Sequence, residues 1–296
     1  MKKILLSLLT ISALLPASEF QYGSGTFNMK GGFLGLTGTI GTDVTTYSLV
    51  ERHKNLFSSN FFYGYNLTWY DSEILKQAQH SYNSLTNIIN NSFSRDTFAV
   101  PRIEHRLKGL DANIQLGYDF LHKDNSNFFG MGLLLGASIP WIDSSSNGEL
   151  DSSNSDSDYF KDSKTELMTY KIAPSVNFQK TLISDKLSLY GTGTFAYQMA
   201  SIKNSYAKSD FTVNGTFQEY NIGLHYTPFT TNYSLGWFTI SPRVYGTIGY
   251  KYSKWDLDEM IIDISGAELS SSLLDPFKTK FGMDSSIGYV GIGYSF

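Results

Sequence analysis

From about residue 106 to the end of the chain, apolar side chains recur at every second position in seven separate runs. The clearest is Leu110 to Phe120. Leu110, Ala112, Ile114, Leu116, Tyr118 and Phe120 share one face, and Asp111, Asn113, Gln115, Gly117 and Asp119 share the other. A period of two is that of a β-strand. The next run sets Phe129, Met131, Leu133, Leu135, Ala137, Ile139 and Trp141 against Gly130, Gly132, Gly136 and Ser138. Five more lie near 167–180, 187–201, 213–227, 235–252 and 279–296. A soluble sandwich also alternates, but its outer face is rich in charge. Here the polar positions mix Gly, Asn and Gln with few charges.

The connections alternate in length. His122 to Asn127, Thr181 to Lys186 and Pro228 to Ser234 are short, whereas 142–166, 202–212 and 253–278 are mostly long and polar. Short turns at the periplasmic end and long loops outside are the rhythm of a membrane barrel. Three earlier segments, 22–36, 38–51 and 60–70, complete an even count. The expected fold is all-β, a transmembrane antiparallel up-and-down barrel of about ten strands. Gly31, Gly32, Gly35, Gly38 and Gly41 blur the N-terminal register, so about eight to twelve strands fit. The period changes at 71–90, where Ile74, Leu75, Ala78, Tyr82, Leu85 and Ile89 recur at helical spacing behind Asp71 or Ser72 as N-cap. That spacing predicts an external helix, capping the mouth or folding into it.

The two ends agree with this reading. Lys2 and Lys3, the apolar run Ile4 to Leu15 and the small residues near Ala17 and Ser18 form a secretory signal over residues 1–18. Residues 19–296 are then a single barrel domain. Val290, Ile292, Tyr294 and Phe296 alternate to the last residue, and an open edge of this kind needs a pairing strand. Gly291, Tyr294 and Phe296 resemble the C-terminal assembly signal of bacterial outer-membrane β-barrel proteins. Val290 departs from it, because a polar residue usually precedes the glycine. The resemblance implies export to the outer membrane of a Gram-negative bacterium. The partners it implies are outer-membrane lipid and the barrel-assembly machinery.

Composition narrows the function classes. Aromatics make up 15% of the chain and charged residues only 17%, which suits a lipid face around a polar lumen. The net charge is −4 and falls further once Lys2 and Lys3 leave, so there is no footprint for nucleic acid. With no cysteine, stability rests on strand pairing and burial rather than disulfides. No cofactor is expected. The carboxylates of 143–166 lack the glycine and final glutamate of an EF-hand loop, and read as a solvated surface. Trp69, Trp141 and Trp255 fall at upper strand ends, as an outer aromatic girdle requires.

The candidate lumenal residues are Asp111, Asp119, Lys171, Glu219, His225 and Arg243. Alternation turns Glu219, Asn221, Gly223 and His225 inward, and also Trp237, Thr239, Ser241, Arg243, Tyr245 and Lys251. A turn centred on Thr231 sets Glu219 opposite Arg243 as an ion pair. The same residues could tune ion selectivity. The sequence therefore leans to a narrow passive channel, with lumenal glycines at 117, 130, 132 and 136 leaving space. The alternative is a non-conducting structural or surface-interaction barrel whose loops at 72–106, 143–165 and 253–278 bind a partner.

An outer-membrane enzyme is the third reading, and the residues argue against it. Omptin proteases pair an Asp-x-Asp with an Asp-x-His; Asp256 and Asp258 supply the first, but the second is missing. A lipid A deacylase needs His-x-Ser, and His225-Tyr226-Thr227 is the nearest match, at the wrong end of the barrel. Outer-membrane phospholipase needs a lipid-facing Ser, His and Asn, whereas His225 reads as lumenal. The other histidines are His53, His80, His105 and His122, of which His53 and His122 fall in or beside periplasmic turns.

Overall fold

Backbone pairing organises the whole molecule. The computed structural model describes residues 19–33, 36–54, 59–73, 75–77, 80–83, 97–100, 103–124, 126–146, 163–184, 186–204, 210–229, 231–235, 238–258, 260–261, 278–279 and 281–294. Ten long strands carry the fold: β1 (Glu19–Phe33), β2 (Leu36–His53), β3 (Phe61–Ser72), β4 (Ile103–Asp119), β5 (Phe128–Ser146), β6 (Ser163–Ile183), β7 (Leu187–Asn204), β8 (Asp210–Tyr226), β9 (Val244–Leu257) and β10 (Phe281–Tyr294). Each pairs antiparallel with its sequence neighbour, and β10 closes on β1 from Glu19↔Gly293 to Gly31↔Phe281. Closure leaves the barrel wall without a free edge.

The alternation sorts side chains as the sequence analysis expects. Ile114 is 61% exposed and Ile292 60% exposed. Leu116, Met131, Leu133, Ile172, Phe195, Ile222 and Ile248 join them in an apolar outer belt. Apolar residues on the outside and polar ones inside invert a soluble protein and match a wall facing lipid. The strands outrun the bilayer. β6 has 21 residues. At about 3.3 Å per residue that is roughly 70 Å of strand, more than a hydrocarbon core of about 30 Å needs even with steep tilt. Both described chain ends and the short turns lie at one end, the periplasmic end in barrels of this class.

Three expectations are corrected here. The first is the helix near 71–90. Asp71 and Ser72 belong to β3, Leu75–Gln77 is a short strand against β4, and His80–Asn83 pairs with Thr97–Val100. Residues 84–90 lie outside the described residues. The pattern was an accident of spacing, and cross-strand pairing above the membrane took precedence over it. The second is the run 235–252. Tyr233–Leu235 and Phe238–Ile240 form a small hairpin of their own, and β9 begins only at Val244. Pro242 has no N–H to give a ladder, and the Val244 N–H donates to the Ser241 carbonyl at 3.1 Å in the turn before the strand. The third is Trp255, which is 1% exposed inside the barrel and not in a girdle. Trp69 lies at the upper end of β3, opposite Leu110 of β4, on the outward phase of the strand. Trp237 and residues 1–18, the expected signal, lie outside the described residues.

The turn after β4 is tied by Asp124. Its carboxylate accepts from the Asn127 side chain at 2.6 Å and from the backbone N–H groups of Ser126 and Asn127 at 2.8 and 3.0 Å. The Asn127 side-chain bond leads in holding this carboxyl below its ordinary range. A depressed carboxyl contributes to folding above its unfolded value of about 4 and loses that contribution as the pH falls. The turn is therefore looser in acid.

Aromatic rings lie across glycines in the lower lumen. A Cβ on Gly117 or on Gly130 would collide with the Phe62 ring, which also meets Phe128 edge-on at 5.1 Å. Phe62 is wholly buried. Phe62→Ala is expected to lower unfolding free energy by roughly 3–5 kcal/mol, read in urea titrations of the refolded barrel. A loss under about 1 kcal/mol would mean that neighbouring side chains collapse into the space.

Candidate functional site

The lumen is layered from the outer to the periplasmic side. Among the described side chains the upper layer centres on an apolar cluster. Phe27, Phe217 and Trp255 form it with Met283, Leu257, Val44 and Leu107, contributed by β1, β2, β4, β8, β9 and β10. Trp255 lies 5.8 Å from Phe27 and 5.2 Å from Phe217 between ring centroids.

Below it sit two ion pairs. Lys171 Nζ on β6 meets Asp111 Oδ1 on β4 at 2.6 Å, with both side chains 0% exposed. Asp111 also accepts from Ser138 Oγ and, at 2.7 Å, from Asn113 Nδ2. The same ammonium lies 4.0 Å from the centre of the Phe217 ring. Lys251 Nζ on β9 meets Glu219 Oε2 on β8 at 3.3 Å, and Ser253 Oγ donates to that oxygen at 3.0 Å. Buried charges persist when paired, and both carboxylates here also accept a hydroxyl hydrogen bond.

The lowest layer is polar and aromatic. Arg52 Nη2 on β2 donates to Thr192 Oγ1 on β7 at 3.0 Å and to Asn177 Oδ1 on β6 at 3.2 Å. β2 and β7 stand opposite each other in the ring of ten, so this side chain crosses the whole lumen. Tyr190 and Tyr289 share a hydrogen bond at 2.5 Å, and Tyr289 donates to Asn221 at 2.5 Å. His225 stacks on Tyr190 at 4.0 Å and lies 3.5 Å from Glu19. Glu19 Oε1 accepts from Thr247 at 2.6 Å and from Gln21 at 2.7 Å. Beneath this layer a cavity of about 310 Å³ opens at the periplasmic end.

The expected lumenal residues are thus placed as follows. Asp111, Asp119, Lys171, Glu219 and His225 all point inward. Asp119 is buried near the lower end, where its Oδ1 accepts from the Leu121 N–H at 2.9 Å. Arg243 is not opposite Glu219. The register sets Glu219 against Ser253, and exposed Arg243 sits at the rim of the lower cavity. The turn at 227–243 is longer than the one expected about Thr231, which accounts for the slip. The glycines at 117, 130 and 136 do not leave open space either, because Phe62, Phe128 and Asn113 occupy it. A Cβ at Gly132 would meet the β4 backbone, since it would lie against Leu116. Asp256 lies on the outward phase of β9, bridged to Lys254 at 3.1 Å.

Sequence reasoning missed Arg52 and Glu19. The signal for Arg52 was present, because Thr42, Val44, Thr46, Ser48 and Val50 set a phase that reaches it two residues further on. Ending that strand at 51 hid it. Gly291 of the terminal motif has a role inside the wall. A Cβ there would collide with Thr247 Oγ1 and lie 3.0 Å from Glu19 Oε1, so the glycine makes room for their bond. Tyr294 ends β10, opposite Val244. Phe296 lies outside the described residues.

No model of a known protein family matches the chain, and no curated protein matches it in sequence. Solved structures of similar form include the outer membrane protease OmpT from Escherichia coli, at 8% identity over 95% of this chain and 97% of that one, TM-score 0.46. The translocator domain of autotransporter NalP from Neisseria meningitidis shares 8% identity over 100% and 95%, TM-score 0.37. A major outer membrane protein from Thermus thermophilus shares 7% over 95% and 98%, TM-score 0.36. At these values no residue and no activity transfers to this chain. Its own geometry establishes the class: a closed antiparallel barrel with an apolar outer belt and a polar interior is an integral outer-membrane β-barrel protein.

The buried pair on β4 and β6 can be tested directly. Lys171→Met strands the Asp111 carboxylate and is expected to cost about 3–5 kcal/mol in urea titration. Adding Asp111→Asn removes the orphaned charge and should recover most of that loss. A double variant no more stable than Lys171→Met would mean that the pair acts through packing alone.

Proposed function

We propose that this protein is a non-conducting barrel whose membrane-embedded part is a rigid support for segments raised above the outer surface. The observation that carries this reading is the crossing of the lumen by Arg52, from β2 to partners on β6 and β7. An apolar layer of Phe27, Phe217, Trp255 and Met283 lies above it. A hydrated ion crossing the barrel would have to displace both. The channel reading needs Glu219, Arg243, Lys171 and Asp119 to face a continuous water path. Instead, Lys171 is neutralised by Asp111 and Glu219 by Lys251. Strand length adds support, since β5 and β6 run for 19 and 21 residues and lift their outer ends well clear of a bilayer. The chemistry that reads this surface belongs to the outer connections, and the partner is a surface molecule.

Planar-bilayer recording of the refolded, signal-free protein tests the proposal. The expected outcome is a silent membrane, with folding checked by heat-dependent gel mobility. Discrete conductance steps whose ion selectivity shifts in Glu219→Ala would sink it and restore the channel.

A further inference from the structure

The cavity beneath the lumen carries an unbalanced charge. Its lining holds three cationic side chains, Arg52, Lys54 and Arg243, against the carboxylate of Glu19, with that of Asp119 close to Lys54. That carboxylate is already engaged by Thr247, Gln21 and His225. Arg52 has no carboxylate partner within ion-pair distance among the described residues; its hydrogen bonds there go to neutral oxygens through Nη2, and its guanidinium lies 5.6 Å from the centre of the Phe128 ring. Guanidinium has five donors in a fixed fork, so the edge bearing Nε and Nη1 stays available. Lys54 Nζ is held at the cavity edge by the Asn127 carbonyl at 3.3 Å and lies 5.1 Å from the centre of the Phe128 ring. Neither of these contacts is ionic, and the carboxylates that act on this ammonium, Asp119 and Asp124, lie outside the cavity lining.

We propose that this vestibule binds a small anionic solute from the periplasmic side, a carboxylate or phosphate group held by Arg52 at its inner end with Lys54 and Arg243 at the rim. A partly buried guanidinium without a counter-ion is costly, and an oxyanion that takes two of its N–H groups together removes that cost. The volume of about 310 Å³ sits at the small end of ligand pockets, which suits a mono- or dianion rather than a chain. Tyr245 and Asn221 line the same space and supply neutral hydrogen-bonding groups for the rest of the solute. The site opens away from the outer surface and does not depend on what the outer connections recognise.

Calorimetric titration of the refolded barrel with inorganic phosphate, and separately with succinate, tests the proposal. At least one of the two is expected to bind saturably, and Arg52→Gln should weaken it about tenfold or more. Folding of each variant is verified by heat-dependent gel mobility. If Arg52→Gln does not fold, the rim double variant Lys54→Gln/Arg243→Gln decides instead, with weakened binding expected. Failure of both anions to saturate overturns the site. So does affinity unchanged in the folded variants.

Discussion

Everything in this molecule depends on the pairing of its first strand with its last. β1 and β10 are joined along nearly their full length, and only that seam turns a ten-strand sheet into a wall with no open edge. In lipid no water is present to take up orphaned backbone groups, so an unclosed sheet would leave two rows of them at a cost of several kcal/mol each. The seam is reinforced from inside. Glu19 at the start of β1 reaches across β10 to Thr247 on β9, and Gly291 lets the bond pass.

Closure creates a second constraint, a lumen that must be filled or hydrated. This chain fills it in two ways. Large rings cross over glycines on neighbouring strands: Phe62 over Gly117 and Gly130, Tyr190 over Gly223, Tyr289 over Gly249, and Tyr245 over Gly293. Substituting bulk next door for bulk in place lets a narrow barrel pack its interior without straining the wall. The charges are handled in pairs, as Asp111–Lys171 and Glu219–Lys251, each with a hydroxyl attached. Because both pairs are buried, they hold strands of fixed register together rather than presenting free charge.

The two ends of the barrel are consequently unlike. Among the described residues the upper lumen carries the apolar layer of Phe27, Phe217, Trp255 and Met283, under strands that continue far past the membrane. The periplasmic half holds Arg52, Glu19 and the tyrosine cluster and opens into a cavity lined also by Lys54 and Arg243.

Much of the class was legible in the residues. The alternation of 110–120 and 129–141 separates lipid face from lumen correctly, because one residue of slip would turn every apolar side chain into the interior. The strand count and the inward placement of Asp111, Asp119, Lys171, Glu219 and His225 follow from the same period. Two things were not legible. Helical spacing at 71–90 is a local signal, and local signals yield when a partner strand offers a ladder of hydrogen bonds. Partnership across the lumen is the other. Alternation says that Glu219, Lys251 and Arg52 point inward, but it says nothing of the height at which each arrives or of what stands opposite. Those are set by the length of one turn at 227–243 and by closure of the ring, which brings together residues far apart in sequence. Where it placed a strand correctly, the sequence by itself determined which side of the wall a residue faces, since that depends only on parity along a strand. Which lumenal residues meet was decided by the tertiary structure alone, because contact across a barrel depends on the register of every strand between them.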